Sequence, residues 1–258
     1  SNGALPRLIV DDQALEQNLQ YIAKKLQYGS HLQPRIVVKS LACLALLKTI
    51  SLKLSTQRFM VFHMPQLLPI LENFSDVDVL FGKPMPVSIV QHFYAMNQNC
   101  RQADIQWLID SKARLLQYLG VAKQFSLTLK INIEIDVGLH RGGVRSDFAL
   151  IEILRLIEQN PEHLVLAGLM GYDAHVTKLP SMIKKIDVAY RESQDIYQNY
   201  KNIIQQQFPH FWRADLCFNG GGSPTFYLHV EQSVCNDLSF GSMLLKPSDF
   251  DSDGLSVL

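Results

Sequence analysis

Cysteine is scarce in this chain: Cys43, Cys100, Cys217 and Cys235 are the only four in 258 residues, and no two form a C-x-x-C pair. Such wide spacing supplies neither the clustered ligands of a zinc module nor the staples of a secreted disulfide scaffold. Three of the four sit in apolar or strand-like runs, which points to buried, reduced thiols and a cytoplasmic protein. No apolar run approaches the ~18 residues a membrane span needs, and the opening shows no signal-peptide pattern. Ser1-Asn2-Gly3 reads as the remnant of an expression tag. Charge of one sign is missing too, since twenty-four basic side chains balance twenty-four acidic ones. Without a basic stripe or an acidic tail, neither nucleic acid nor a membrane is an expected partner. Paired Cys/His spacing and H-E-x-x-H are absent, so no metal site is expected within this chain. No Pro/Ser-rich linker, low-complexity segment or internal repeat divides it, which leaves one domain as the economical reading.

What is present is an alternation. Short apolar runs occupy residues 5–11, 36–38, 58–64, 76–84, 104–110, 127–136, 164–175, 215–226 and 236–245, about nine strand candidates in all. Between them lie stretches of helical period. Leu15, Leu19, Ile22 and Leu26 follow Asp11, a helix N-cap type. Further helices are predicted to start near Pro65, over 87–97, through Leu115 and Leu119, over 148–158 and over 180–207. Strands in alternation with helices predict a parallel α/β fold, and eight or so such units predict a (β/α)8 TIM-type barrel spanning residues 4–250.

In such a barrel the chemistry gathers where the strands end at their C-terminal side. RIVVKS (Arg35 to Ser40) ends an apolar strand on Lys39. A lysine at that place is an ordinary surface residue unless the site desolvates it, when its amine becomes a nucleophile toward an aldehyde. FNGGGSPTF puts three glycines after a strand, so that backbone can approach an anion closely, with Asn219, Gly221, Gly222, Ser223 and Thr225 around it. It is not a P-loop, because no G-K-[S/T] follows. SFGSM, with Gly241 and Ser242, offers a second tight turn for the same anion. IEIDVGLHRGGV ends a strand at Asp136 and presents Arg141 on a glycine-shaped loop, suited to a carboxylate or a cofactor oxygen. GYDAH supplies Tyr172, able to lie against a planar ring, and His175, a candidate for proton transfer. A carbonyl-reactive lysine, a phosphate cradle and a ring-stacking aromatic suit one cofactor, pyridoxal 5′-phosphate.

The order of these motifs resembles the barrel domain of fold-type III pyridoxal-phosphate enzymes, the alanine racemase N-terminal superfamily. Within it the chain is more similar to the D-threonine aldolase and D-serine dehydratase branch than to alanine racemase proper. The likeness runs from LPRLIVDDQALEQNL through RIVVKS, IEIDVGLHRGGV, AGLMGYDAH and FNGGGSPT to SFGSM. It implies that Lys39 holds the cofactor as a Schiff base and acts as a base at the substrate's Cα. It places Arg141 near the phenolic oxygen, Tyr172 on the ring, and the two glycine turns on the phosphate. It implies a D-amino acid as the small-molecule substrate, cleaved by aldol chemistry, dehydrated or racemised.

Two departures qualify the resemblance. Alanine racemases carry an arginine against the pyridine nitrogen two residues before the closing glycine, where this chain has Ser239. A neutral partner would leave the ring a weaker electron sink. The relatives also continue into a C-terminal β-domain, with a divalent-metal site in this branch and a two-domain pocket usually built in a homodimer. Residues 251–258 read as the start of a connection to that part, which is missing or truncated here. An alternative is a stand-alone barrel that binds pyridoxal phosphate in cofactor homeostasis without strong catalysis. A gene continuing for ~100 further residues, a domain-sized addition, favours the enzyme.

Overall fold

Helix formation begins at Asp11, whose carboxylate accepts from the backbone N–H groups of Gln13 (2.9 Å) and Ala14 (3.0 Å). That caps α1 (Asp12–Tyr28) and satisfies two donors that the first turn would otherwise leave open. Leu15, Leu19 and Ile22 then fall on one face and are buried. A computed structural model describes residues 9–29, 31–100, 103–178 and 185–245. Ahead of the cap, Ile9 and Val10 are exposed and in no strand. The strand expected over 5–11 is therefore corrected over its last three residues, while 5–8 lie outside the described residues, as do 246–258. The apolar pair simply has no sheet to join.

The eight remaining candidates are strands: β1 (Gln33–Val37), β2 (Arg58–Val61), β3 (Asp78–Phe81), β4 (Asp104–Ile109), β5 (Leu129–Glu134), β6 (Leu164–Gly171), β7 (Cys217–Gly220) and β8 (Asp237–Phe240). They form a closed barrel in sequence order, parallel throughout, and β8 returns to pair with β1 from Gln33↔Asp237 to Ile36↔Phe240. The fold is a (β/α)8 barrel. The connecting helices are α2 (Leu44–Lys53), α3 (Met64–Asn73), α4 (Val87–Met96), α5 (Lys112–Phe125), α6 (Asp147–Glu158), α7 (Ile186–Gln207) and α8 (Phe226–Glu231). Ser111 and Ser146 cap α5 and α6 by accepting from the N–H groups of Arg114 and Ala149. Helix α1 packs beside both α2 and α8, and the Asn18 amide donates to the Leu244 carbonyl just after β8, so the first helix closes the outer ring. Of the helix expected over 180–207, residues 180–184 lie outside the described residues and 186–207 form α7.

The barrel's inside is unusually polar. Arg35 on β1 is fully buried, and its guanidinium reaches Asp237 on β8 (2.7 and 3.0 Å) and Asp78 on β3 (3.0 and 2.9 Å). Asp237 opens the neighbouring strand β8 and Asp78 opens β3, two strands away, so the network lies inside the barrel toward the N-terminal ends of its strands. Arg58 on β2 adds a second cation to the same two carboxylates. Gln106 on β4 donates to Asp78, and Asn132 on β5 donates to Gln106. Branched apolar layers are what fill most barrels of this kind. On β6 Gly168 has φ 153°, and a Cβ there would collide with the carbonyl of its register partner Cys217 on β7.

Removing Arg35 takes the fully buried cation from Asp78 and Asp237 and leaves them the partly exposed Arg58. Arg35→Met is expected to cost ~3–5 kcal/mol, the usual penalty for breaking a buried pair from one side. Urea unfolding of the two proteins checks it, and a loss below ~1 kcal/mol would count against the network as the barrel's anchor.

Candidate active site

Lys39 does not end β1 itself. The chain leaves the strand at Val37 and makes a single 3₁₀ turn, Val38–Ser40, with α2 starting only at Leu44. That turn carries the ammonium over the Phe62 ring, 4.4 Å from its centroid, at the mouth of the barrel. Desolvation lowers the lysine's pKa most, and the positive charges of Arg141 and Lys83 lower it further.

The mouth holds a cavity of about 780 Å³. Lys39, Arg141, Tyr172, Asn219 and Ser239 line it, and so do both glycine turns through Gly221, Gly222, Ser223, Gly241 and Ser242. Met60, Phe62, Met170 and Phe240 give it apolar walls. The turns are shaped by exclusion. Gly221 has φ 74°, and a side chain at Gly241 would drive its Cβ to 2.8 Å from the Val37 carbonyl oxygen. One hydroxyl joins them: Ser223 Oγ accepts from the backbone N–H groups of Gly241 and Met243 (both 3.2 Å) and lies 3.1 Å from Ser242 Oγ.

Arg141 is aimed by Glu134, the last residue of β5, which accepts from Nε (3.1 Å) and Nη2 (2.5 Å). Its guanidinium carbon sits 5.0 Å from the centroid of the Tyr172 ring. Burial raises the Tyr172 pKa against the opposing charge of Arg141. The loop that carries Arg141 is wound around Asp136, which accepts from the N–H groups of Gly138 (3.1 Å) and His140 (2.9 Å). At the floor, Asn219 donates to both Asp237 and Ser239 Oγ (2.7 Å). The carboxylate takes only donors, so the amide's NH₂ must face this way.

Two expected residues lie elsewhere. Thr225 is fully buried beneath the glycine loop, where its hydroxyl donates to Asp173 (2.8 Å) instead of facing the cavity. The His175 ring rests against Gly138, 2.8 Å from where a Cβ would stand, and does not line the cavity.

The family model for the alanine racemase N-terminal domain matches residues 10–248. The chain belongs to this family. A curated relative, 3-hydroxy-D-aspartate aldolase of Paracoccus denitrificans (strain Pd 1222), is 22% identical over 151 residues, 57% of this chain and 37% of that protein. Among solved structures, D-threo-3-hydroxyaspartate dehydratase from Delftia sp. HT23 superposes with a TM-score of 0.77 at 14% identity, covering 95% of this chain and 62% of that one. D-threonine aldolase from Filomicrobium marinum gives 0.73 at 19% identity, over 94% and 64%. Alanine racemase from Bacillus anthracis gives 0.72 at 17% identity, over 96% and 61%. The chain thus spans less than two thirds of each of these proteins. At such identities the likeness carries the barrel fold.

Within this alanine racemase N-terminal barrel, sequence reasoning missed Glu134, Asp173 and His229. Glu134 had a usable signal, because a carboxylate inside IEID needs a buried cation and Arg141 follows on the same loop. His229 had none, since its partner Asp173 is 56 residues away.

The charge environment of Lys39 is testable. Trapping of the wild-type amine by a small aldehyde and borohydride should reach half-rate below the pH of an ordinary lysine. Arg141→Gln removes a neighbouring cation, favours the ammonium, and should move that midpoint upward. An unmoved midpoint would exclude Arg141 as a cause.

Proposed function

We propose that the cavity binds pyridoxal 5′-phosphate through Lys39 and that the protein is an enzyme acting on D-amino acids. The observation that carries this reading is the meeting, in one cavity, of a partly desolvated lysine on the turn after β1 with two glycine turns, an aimed arginine and a tyrosine ring. The residues present fit the group. The volume lies within the range of cofactor pockets, about 300–1,000 Å³. Its turns present backbone where a Cβ at Gly222 would already crowd Tyr172 at 2.9 Å, so a bulky anion can approach the main chain only because glycine stands there.

Each side chain has a defined task. A lowered pKa leaves more of the Lys39 amine unprotonated, ready to hold an aldehyde and later to carry a proton at the substrate's Cα. Arg141, oriented by Glu134, offers a planar donor fork to an oxygen beside the ring, and Tyr172 bounds the ring plane. Backbone N–H groups of the two turns, coupled by Ser223, take the phosphate. Ser239 Oγ already accepts from Asn219, so its own hydrogen is what it can offer the cavity: a neutral donor. When bound, the cofactor supplies the electron sink for a bond broken at Cα. The aldolase and dehydratase relatives are named for β-hydroxy-D-amino acids, which supports a β-hydroxy-D-amino acid as substrate.

Adding pyridoxal phosphate to the purified protein should produce the visible absorbance of a lysine-bound pyridoxal, absent in Lys39→Ala. A band that survives the substitution would sink the Lys39 assignment. D-serine, D-threonine and D-alanine with product detection then separate dehydratase, aldolase and racemase.

A further inference from the structure

Behind the glycine loop lies a buried cluster that the proposed reaction does not use. Asp173, two residues past β6, takes the Thr225 hydroxyl on Oδ1 and meets His229 Nε2 on Oδ2, each at 2.8 Å. The other ring nitrogen, His229 Nδ1, lies 2.8 Å from Ser233 Oγ. Asp173 and His229 are both 1% exposed, so solvent does not screen their pairing. A carboxylate is an acceptor only, so Nε2 carries a proton toward it.

The ring stands one peptide layer behind the cavity. A Cβ at Gly220 would come 3.3 Å from His229 Cε1, and one at Gly221 would come 3.1 Å from Cδ2 and 3.4 Å from Nε2. Asp173 contributes none of the nearest atoms at either glycine. Gly221 lines the cavity while His229 does not, so the imidazole rests on the back of peptides whose front faces the ligand. Around the ring stand the Tyr190 edge from α7, centroid to centroid 5.2 Å, then Ser233 and the Cys235 thiol beyond α8. Burial is the largest single influence and works against an imidazolium here, yet the charge and hydrogen bond of Asp173, joined by the Cys235 sulfur, together outweigh it and raise the His229 pKa to about 10.

We propose that the Asp173–His229 pair sets the anion preference of the glycine loop, with His229 a buried cation behind Gly220 and Gly221 and Asp173 its anchor. His229 is thus a positioning residue. The inference rests on the reading of the cavity above and assigns its selectivity for a phosphate ester to a group that touches no ligand. Asp173 also ties Thr225 under the loop, so charge and shape are held by one carboxylate.

The test compares pyridoxal phosphate with pyridoxal, which has the same aldehyde and ring and no phosphate. His229→Gln should weaken pyridoxal phosphate about tenfold, or ~1.4 kcal/mol, and leave pyridoxal unchanged. Asp173→Asn should do the same by releasing the imidazole's proton. Equal losses for both ligands, or no loss for either, overturn the proposal. Should the variants fail to fold, NMR of histidine-labelled wild type decides: one imidazole must stay protonated at pH 8, and eight neutral rings would refute the buried cation. A wild type that captures neither aldehyde sinks the cofactor reading instead. Inorganic phosphate alone, followed by its ³¹P linewidth, then tests the anion preference: broadening lost in His229→Gln supports it, and broadening equal in both proteins overturns it.

Discussion

The Arg35 guanidinium, locked between Asp78 and Asp237 inside the barrel near the N-terminal ends of its strands, is the interaction on which the rest depends. Burying such ions is costly, and the cost is met only because each donor has a partner: two carboxylates, two backbone carbonyls and the Cys217 sulfur. The arrangement is directional as well as strong. Arg35 donates to Asp237, Asp237 therefore accepts from Asn219, and the same amide donates to Ser239 at the cavity floor. A charge pair in the interior thereby fixes the hydrogen-bond character of the surface a ligand meets.

Around that floor the cavity is assembled from separate strand ends, each with its own brace. Ser223 joins the turns after β7 and β8. Glu134 holds Arg141, and Asp136 winds the loop that delivers it. Buried carboxylates do most of this positioning, which leaves the groups facing the cavity with little rotational freedom of their own. Preorganisation of that kind is what lets donors act without reorganising when a ligand arrives.

The architecture was legible in the sequence because period and capping are local. Asp11, Ser111 and Ser146 are cap types standing where helices begin, and eight of the apolar runs are strands in order. Sites legible in the same way were those whose signal is glycine: the 220–222 and 241 turns demand it sterically. Less legible were features decided by partners far along the chain. LIV before Asp11 has strand composition, yet Ile9 and Val10 find no neighbour to pair with. Thr225 looked like part of a cradle, but Asp173 turns it inward. Alone in sequence, His175 resembled an acid–base group, whereas His229, on a six-residue helix, is a buried histidine paired with a buried carboxylate.

Closure of the barrel has a consequence for how the chain acquires its site. Lys39 follows the first strand, and the partners of that strand are β2 and β8, the latter joined through Arg35 and Asp237 across 202 residues. Synthesis delivers the N-terminal end first, and contacts of such long separation close late. Lys39 therefore waits, outside any cavity, until nearly the whole barrel has been made. The surroundings of this amine and the closure of the barrel are therefore completed together.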